Sequence, residues 1–187
     1  NRGIEAGATC ALFAPDEKTA EYRGSELTDA ERALAGDADA PCEKVLRYRA
    51  EDFVPVMALP SNVDHVAAIR DLEPVDIDQV FLGSCTNGRL EDLMAAAEVL
   101  KGKHIAPFVK LIVTPASRKI WEEAEANGTL ATLSAAGAMI THPSCGLCCG
   151  RTGGILSDGE RVVATNNRNF LGRMGSSKVE IYLAAPK

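Results

Sequence analysis

The feature that most constrains this chain is a cysteine motif split into two distant halves. Residues 83–89 read Gly-Ser-Cys-Thr-Asn-Gly-Arg around Cys85, whereas Cys145 and Cys148 form a Cys-x-x-Cys pair far downstream. The three thiols can act together only if the fold brings these remote segments to one place. A four-iron cluster needs four thiolates, so three would leave one iron without a protein ligand. A metal with an open position serves catalysis, while a closed site serves structure.

Composition narrows the class of protein. The chain has 187 residues, 46% of them hydrophobic and 25% charged, which is typical of a globular protein with a proper core. The formal net charge of −6 argues against a nucleic-acid partner, and no apolar run is long enough to predict a membrane span. Of six cysteines, three fall within residues 145–149. This crowding favours metal or redox chemistry in a reducing compartment, which we expect to be the cytoplasm.

Alternating strand and helix patterns predict an α/β fold. Apolar and β-branched runs predict strands at 44–48, 75–82, 109–113, 137–140, 161–165 and 179–183. Helical periodicity predicts helices at 91–100, 118–126 and 130–136, while 54–60, with two prolines, predicts an extended connection. Such alternation is typical of a mostly parallel sheet with helices on both faces, a three-layer α/β/α domain.

The segment before residue 43 has a different character. It is polar and charge-rich from residue 15 to 41, and a short helix is expected within 25–35. Thr28 is predicted to be its N-cap, with Glu31 at the capping-box distance. The turn-forming sequence at 36–41 predicts a domain boundary near Cys42, so that 1–42 ends a preceding domain and 43–187 forms the next. Since the chain begins at Asn1, we expect it to be a fragment or a processed product.

Cys85 is predicted to lie where a ligand would bind. A buried strand ending at residue 82 leads into the turn with Cys85, and a helix follows. In open α/β sheets, ligands bind at the carboxyl ends of strands, where helix N-termini also point.

The residues alone leave three interpretations of the cysteines open. A structural zinc site would need a fourth ligand, for which His142 is available. A thioredoxin-like redox pair would use Cys145 and Cys148 but leave Cys85 without a role. An iron–sulfur cluster with an open iron uses all three thiols.

Two further places carry candidate polar residues. Arg168 and Arg173, in an Asn- and Gly-rich run after a predicted strand, could clamp carboxylates through bidentate pairing. Neighbouring asparagines could donate hydrogen bonds to cluster sulfurs. The alternative is a solvated loop with incidental charges. Glu5, among small residues, would be costly to ionise if buried and unpaired, and is otherwise an exposed carboxylate on a frayed end.

These motifs together resemble the signatures of the aconitase superfamily. The similar stretches are 83–87, 145–148 and 167–173, with residues 1–8 resembling an upstream asparagine-to-glutamate segment. Residues 88–92 and 172–175 are most similar to the isopropylmalate dehydratase branch in its shorter, archaeal-type form, with homoaconitase as the nearest rival. The four motifs occur in the right order over nearly the whole chain.

The resemblance implies a hydro-lyase that moves a hydroxyl between neighbouring carbons of a malate-type acid. It implies a four-iron four-sulfur cluster, with three irons held by Cys85, Cys145 and Cys148 and the fourth binding a di- or tricarboxylate substrate. Arg168 and Arg173 would bind substrate carboxylates. Glu5 would face the substrate hydroxyl. Hydrogen bonds to the cluster would come from Asn1 and Asn167.

The sequence also departs from that pattern. The superfamily's early domain, with its Asp, His and Ser active-site residues, is not found in these 187 residues. The swivelling domain with the serine base would be carried by a separate small subunit. Cys149 follows the cysteine pair directly, as an inert thiol or an alternative partner after cluster loss. An inactive fragment that binds zinc or no metal is therefore the alternative from another class.

Overall fold

The computed structural model describes residue 3 and residues 7–37 and 39–186. Within them the chain forms five α-helices, α1 to α5, at Glu17–Arg23, Asp29–Arg32, Leu90–Leu100, Arg118–Ala126 and Thr129–Ala135. Strands β1 to β7 span Val56–Ala58, Val66–Ala68, Gln79–Gly83, Lys110–Thr114, Met139–Ile140, Arg161–Ala164 and Glu180–Leu183. Short 3-10 helices lie at Ala33–Ala35, Ala50–Asp52, Ile69–Asp71 and Gly146–Cys149.

The chain divides into two compact units, Asn1–Phe53 and Val54–Lys187. All seven strands belong to the second unit and form one sheet in the order β2-β1-β7-β6-β3-β4-β5. Strands β7, β6, β3, β4 and β5 run parallel, while β1 pairs antiparallel with both β2 and β7. The predicted α/β fold with a mostly parallel sheet is confirmed.

The sheet is buried on both faces by different partners. On one face Leu82, Leu111 and Val113 pack against α3, α4 and α5. On the other, Phe81 and Val162 pack against the 3-10 helix Gly146–Cys149 and the loop that follows it. Neighbouring residues of β3, Phe81 and Leu82, therefore serve opposite cores, because successive strand residues point to opposite faces.

The first unit is held mainly by local hydrogen bonds. Thr28 caps α2, and its backbone N–H donates to the Glu31 carboxylate 2.7 Å away, which closes the predicted capping box. Asp16 and Thr19 form a second capping box at α1. Among the described residues of this unit, Leu27 is the one that is buried. The unit therefore has little apolar core of its own.

Most predicted elements of the second unit are confirmed, and two predictions about 44–60 are wrong. Residues 44–48, expected as a strand, form no regular element, and Val45, Leu46 and Tyr48 are exposed. Alternation there was misleading because neither side of the segment is buried. Conversely, the expected connection at 54–60 contains β1, whose pairing with β2 and β7 is not readable from local sequence. The domain boundary near Cys42 stays a prediction.

Candidate cluster-binding site

The Cys85 turn follows β3 directly and is held in an unusual backbone conformation. Ser84 has a φ of 93°, and it is the only non-glycine residue with a positive φ in the described part of the chain. Such a conformation costs a residue with a side chain on the order of 1–3 kcal/mol. The turn keeps it because Ser84 is fully buried, donates from its backbone N–H to the Thr114 carbonyl at 3.0 Å and accepts from the Gly88 N–H at 3.1 Å. This arrangement leaves Cys85 exposed.

Thr114, at the end of β4, braces both cysteine segments. A Cβ at Gly83 would lie 2.1 Å from its carbonyl oxygen, and one at Gly88 would lie 2.4 Å from it. A Cβ at Gly146 would lie 2.7 Å from its hydroxyl oxygen, which is itself 2.6 Å from that of Thr141. The first turn therefore packs on the backbone of Thr114 and the second on its side chain.

The segment with Cys145 and Cys148 follows β5 and is packed into the core. Cys148 and Leu147 are buried among the residues beneath the sheet, while Cys145 is partly exposed. The Gly146 N–H donates to the Ser144 hydroxyl at 3.0 Å, and Cys148 N–H donates to the Cys145 carbonyl at 3.3 Å. This compact turn presents two thiols from one short stretch.

The thiols of the two segments lie close enough to influence one another electrostatically. Burial is the largest cause, and together with the neighbouring thiols of Cys148, Cys149 and Cys85, in that order, it raises the pKa of the Cys145 thiol to about 12. Several thiolates here would repel one another unless a cationic group neutralised them. The donor set therefore fits a thiolate-bound metal centre. Across the described ranges, however, no three Cys, His, Asp or Glu side chains are arranged tightly enough to hold a metal ion.

The polar run after β6 lies at the same edge of the sheet. Asn167 donates from Nδ2 to the Thr86 hydroxyl, next to Cys85, at 3.1 Å. Arg173 donates from Nε to the Cys148 carbonyl at 2.7 Å, and its Nη2 lies 3.7 Å from the Cys148 sulfur. The loop from β6 thus touches both cysteine segments. Arg168 is partly buried beside Asn167.

The remaining predicted positions are less informative. Glu5 and Asn1 lie outside the described residues. His142, the alternative fourth zinc ligand, is exposed. Cys149 is partly buried, and its Sγ lies 3.9 Å from the Gly146 carbonyl oxygen.

Three residues of this edge were missed from sequence. Thr114 directly follows a predicted strand, Thr165 ends another, and Asn87 was considered only as part of a motif. The Thr165 hydroxyl accepts a hydrogen bond from the Gly83 N–H at 2.9 Å, and the Thr165 carbonyl accepts one from the Asn87 side chain. A signal existed in their position at strand ends, where site residues concentrate.

The family of this chain is shown by its similarity to known proteins. The model of the aconitase family (aconitate hydratase) matches residues 70–187, which include the Cys85 turn, the Cys145 turn and the loop after β6. The chain belongs to the aconitase family. An aconitase-family chain is expected, in general terms, to carry an iron–sulfur cluster, and the cysteine-rich edge of the sheet agrees with that expectation.

Relatives extend the similarity to the whole chain. The large subunit 1 of 3-isopropylmalate dehydratase from Methanopyrus kandleri is 47% identical over 186 residues. The 3-isopropylmalate dehydratase large subunit from Moorella thermoacetica is 45% identical, and the homoaconitase large subunit from Thermus thermophilus is 46% identical. In each case all of this chain aligns with 44% of the relative. The chain thus spans less than half the length of these relatives.

The described residues contain no membrane-spanning helix. None of their helices combines the length and the apolar character that a bilayer crossing requires.

Proposed function

We propose that this aconitase-family chain is part of the large subunit of a hydro-lyase that interconverts 2-isopropylmalate and 3-isopropylmalate in leucine biosynthesis. The reaction removes water from one isomer and adds it back to give the other. The observation that carries the proposal is the meeting of three motif segments at one edge of the sheet, around Cys85, Cys148 and Arg173. Identity of 42–47% to proteins named for this activity supports the substrate class.

The ligands proposed for the four-iron four-sulfur cluster are Cys85, Cys145 and Cys148. When bound, such a cluster supplies a Lewis acid at the iron that has no protein ligand. The protein's own task is to hold three thiolates at a fixed spacing. The backbone contacts of Thr114 and the buried packing of Cys148 support that task, since each cysteine segment is held from beneath.

Substrate carboxylates are proposed to bind Arg168 and Arg173. A malate-type acid carries at least two carboxylates, and a guanidinium matches the planar carboxylate better than an ammonium does. The contact of Arg173 with Cys148 favours this role, since it holds the guanidinium next to a proposed cluster ligand. A substrate bound there would lie beside the thiolates.

The remaining roles are assigned by the resemblance alone. Glu5 is proposed to face the substrate hydroxyl and Asn1 to donate a hydrogen bond to the cluster. The base is proposed to be a serine on a swivelling domain that belongs to a separate small subunit. Names of relatives that specify a large subunit support such a partner. This chain by itself is therefore proposed to be inactive.

Homoaconitase activity is the second candidate. The Thermus thermophilus homoaconitase large subunit is as similar to this chain, at 46% identity, as the isopropylmalate dehydratases are. The two activities differ in the side chain of the substrate.

Anaerobic reconstitution with iron and sulfide tests the cluster. We expect brown protein with broad visible absorption and about four irons and four sulfides per chain. A colourless product with one tightly bound zinc would overturn the cluster assignment and favour the inactive fragment.

The activity is tested with the full-length large subunit and its small subunit. We expect turnover of 2-isopropylmalate, and preferential turnover of homocitrate-type acids would favour homoaconitase instead. Replacing Arg168 or Arg173 by lysine should lower kcat/KM roughly ten- to a hundred-fold, the equivalent of about 1.5–3 kcal/mol for a hydrogen bond to a charged group. If a variant has the kcat/KM of the unmodified enzyme, the arginine that it replaces does not bind the substrate.

A further inference from the structure

A chain of side-chain hydrogen bonds connects the end of β6 to the Cys85 turn. The Nδ2 group of Asn87 donates to the backbone carbonyl of Thr165 and also to Oδ1 of Asn167, 2.9 Å away. Nδ2 of Asn167 then donates to the Thr86 hydroxyl at 3.1 Å. This series of hydrogen bonds therefore ends at Thr86, next to Cys85.

The donors and acceptors in this series of hydrogen bonds can be assigned in only one way. A backbone carbonyl has no hydrogen to give, so the nitrogen of the Asn87 amide must face Thr165. Its second hydrogen points to Asn167, whose oxygen must therefore face Asn87. The nitrogen of Asn167 is then left on the side of Thr86 and Cys85. A single main-chain carbonyl thus determines the orientation of both amides.

Asparagine at position 87 is not required by the backbone. Asparagine is often selected where φ is positive, but Ser84 is the only non-glycine residue of the described part with a positive φ. Asn87 is also partly buried, and its side chain donates to Thr165 and Asn167, which both lie in the loop after β6. Its amide therefore serves the connection between the two segments.

We propose that Asn87 is a positioning residue that fixes the amide of Asn167 with its N–H side toward the cysteine thiolates. This inference rests on the proposed cluster-binding function. The bond to Thr86 uses one of the two Nδ2 hydrogens of Asn167, and the other is a donor for a cluster or cysteine sulfur. Such donors stabilise negative charge on sulfur. Without Asn87 the amide of Asn167 can turn over and present its oxygen, which repels that charge.

Substitution of Asn87 tests the orientation directly. In Asn87→Asp the carboxylate cannot donate to Thr165 or Asn167, so the Asn167 amide is expected to turn its nitrogen toward residue 87. We expect the reconstituted cluster to be lost to a chelator about 10- to 100-fold faster, the usual effect of removing an outer-shell partner, and its reduction potential to fall. Asn127→Asp is the matched control, because it adds the same charge at an exposed acceptor position that needs no donor. It should behave as the unmodified chain.

A double-mutant cycle with Asn87→Ala and Asn167→Ala separates positioning from general support of the fold. If Asn87 acts through Asn167, its replacement should change the potential and the loss rate in the native background but have almost no further effect in the Asn167→Ala background. Independent, additive effects would overturn the proposal, and so would an unchanged cluster in Asn87→Ala. If the unmodified chain takes up no cluster, both this inference and the proposed function fail. If it does and the Asn87 variants match it, only this inference fails.

Discussion

The two units of this chain are stabilised in different ways. The second unit buries a mostly parallel sheet between two apolar cores, with Phe81, Leu93 and Val113 fully enclosed. The first unit buries Leu27 alone among its described residues and relies on helix caps and ion pairs such as Arg23 with Glu31. Caps and exposed ion pairs contribute little, typically about 1 kcal/mol or less each. The difference explains why the strained turn of Ser84 occurs where it does, since only a rigid core can hold such a conformation.

The largest expected effect concerns the cysteines of the second unit. Replacing Cys85, Cys145 or Cys148 by serine should abolish stable cluster binding, because a neutral hydroxyl replaces a thiolate ligand. Cys149→Ser is the control and should largely retain the cluster. The visible spectrum after anaerobic reconstitution measures both. Loss of the cluster in Cys149→Ser with retention in Cys148→Ser would mean that the assigned ligand is off by one position.

A glycine substitution tests how rigidly the second unit holds its site. Gly88→Ala places a methyl group 2.4 Å from the Thr114 carbonyl, so the turn or β4 must shift. We expect a loss of about 1–3 kcal/mol in the free energy of unfolding, as for other overpacked positions. Gly153→Ala is the matched control, since a Cβ there meets nothing within 4 Å and φ is likewise not positive. If the two variants unfold at the same midpoint of chemical denaturation, this edge of the sheet accommodates the added methyl group and is not rigid.

Arg173→Lys tests whether the arginine that is proposed to bind substrate also supports the proposed cluster. The guanidinium of Arg173 donates to the Cys148 carbonyl and lies near its sulfur. A lysine cannot reproduce both contacts, so we expect several-fold faster cluster loss to a chelator in addition to weaker substrate use. Arg161→Lys, which alters an ion pair with Glu180 at the opposite end of β6, should leave the cluster unaffected. An unchanged loss rate would restrict Arg173 to the substrate.

The smallest expected effect concerns the first unit and its pH dependence. The side chain of Arg23, followed by the Thr28 backbone N–H and hydroxyl, lowers the pKa of Glu31 to about 2. In the unfolded chain this carboxyl titrates near 4.3. The contribution of the ionised carboxylate is therefore complete above about pH 4.3 and is lost as the pH falls toward 2. An NMR titration should show this for helix α2, and Glu31→Gln should remove the transition. A Glu31 pKa near 4.3 would contradict the structure.

Sequence patterns determined most elements but failed where burial was decisive. The strand at 79–83 and the helix at 90–100 follow from local apolar spacing, and the cap at Thr28 follows from local hydrogen-bonding chemistry. At 44–48 the same alternation gave a wrong strand, since alternation produces a strand only when one face has something to pack against.

The sequence by itself determined the family, the α/β fold and the cysteines, because these depend on residue identity and local periodicity. Only the tertiary structure brought Thr114 under both cysteine turns and joined Asn87 to Asn167. Those contacts link segments far apart in the chain, and the parallel pairing of β3 with β4 and β6 sets them. The direction in which an amide points is fixed by a backbone carbonyl that no local pattern reveals. For that reason the cysteines proposed as ligands could be singled out from sequence, whereas the residues that hold them in place could not.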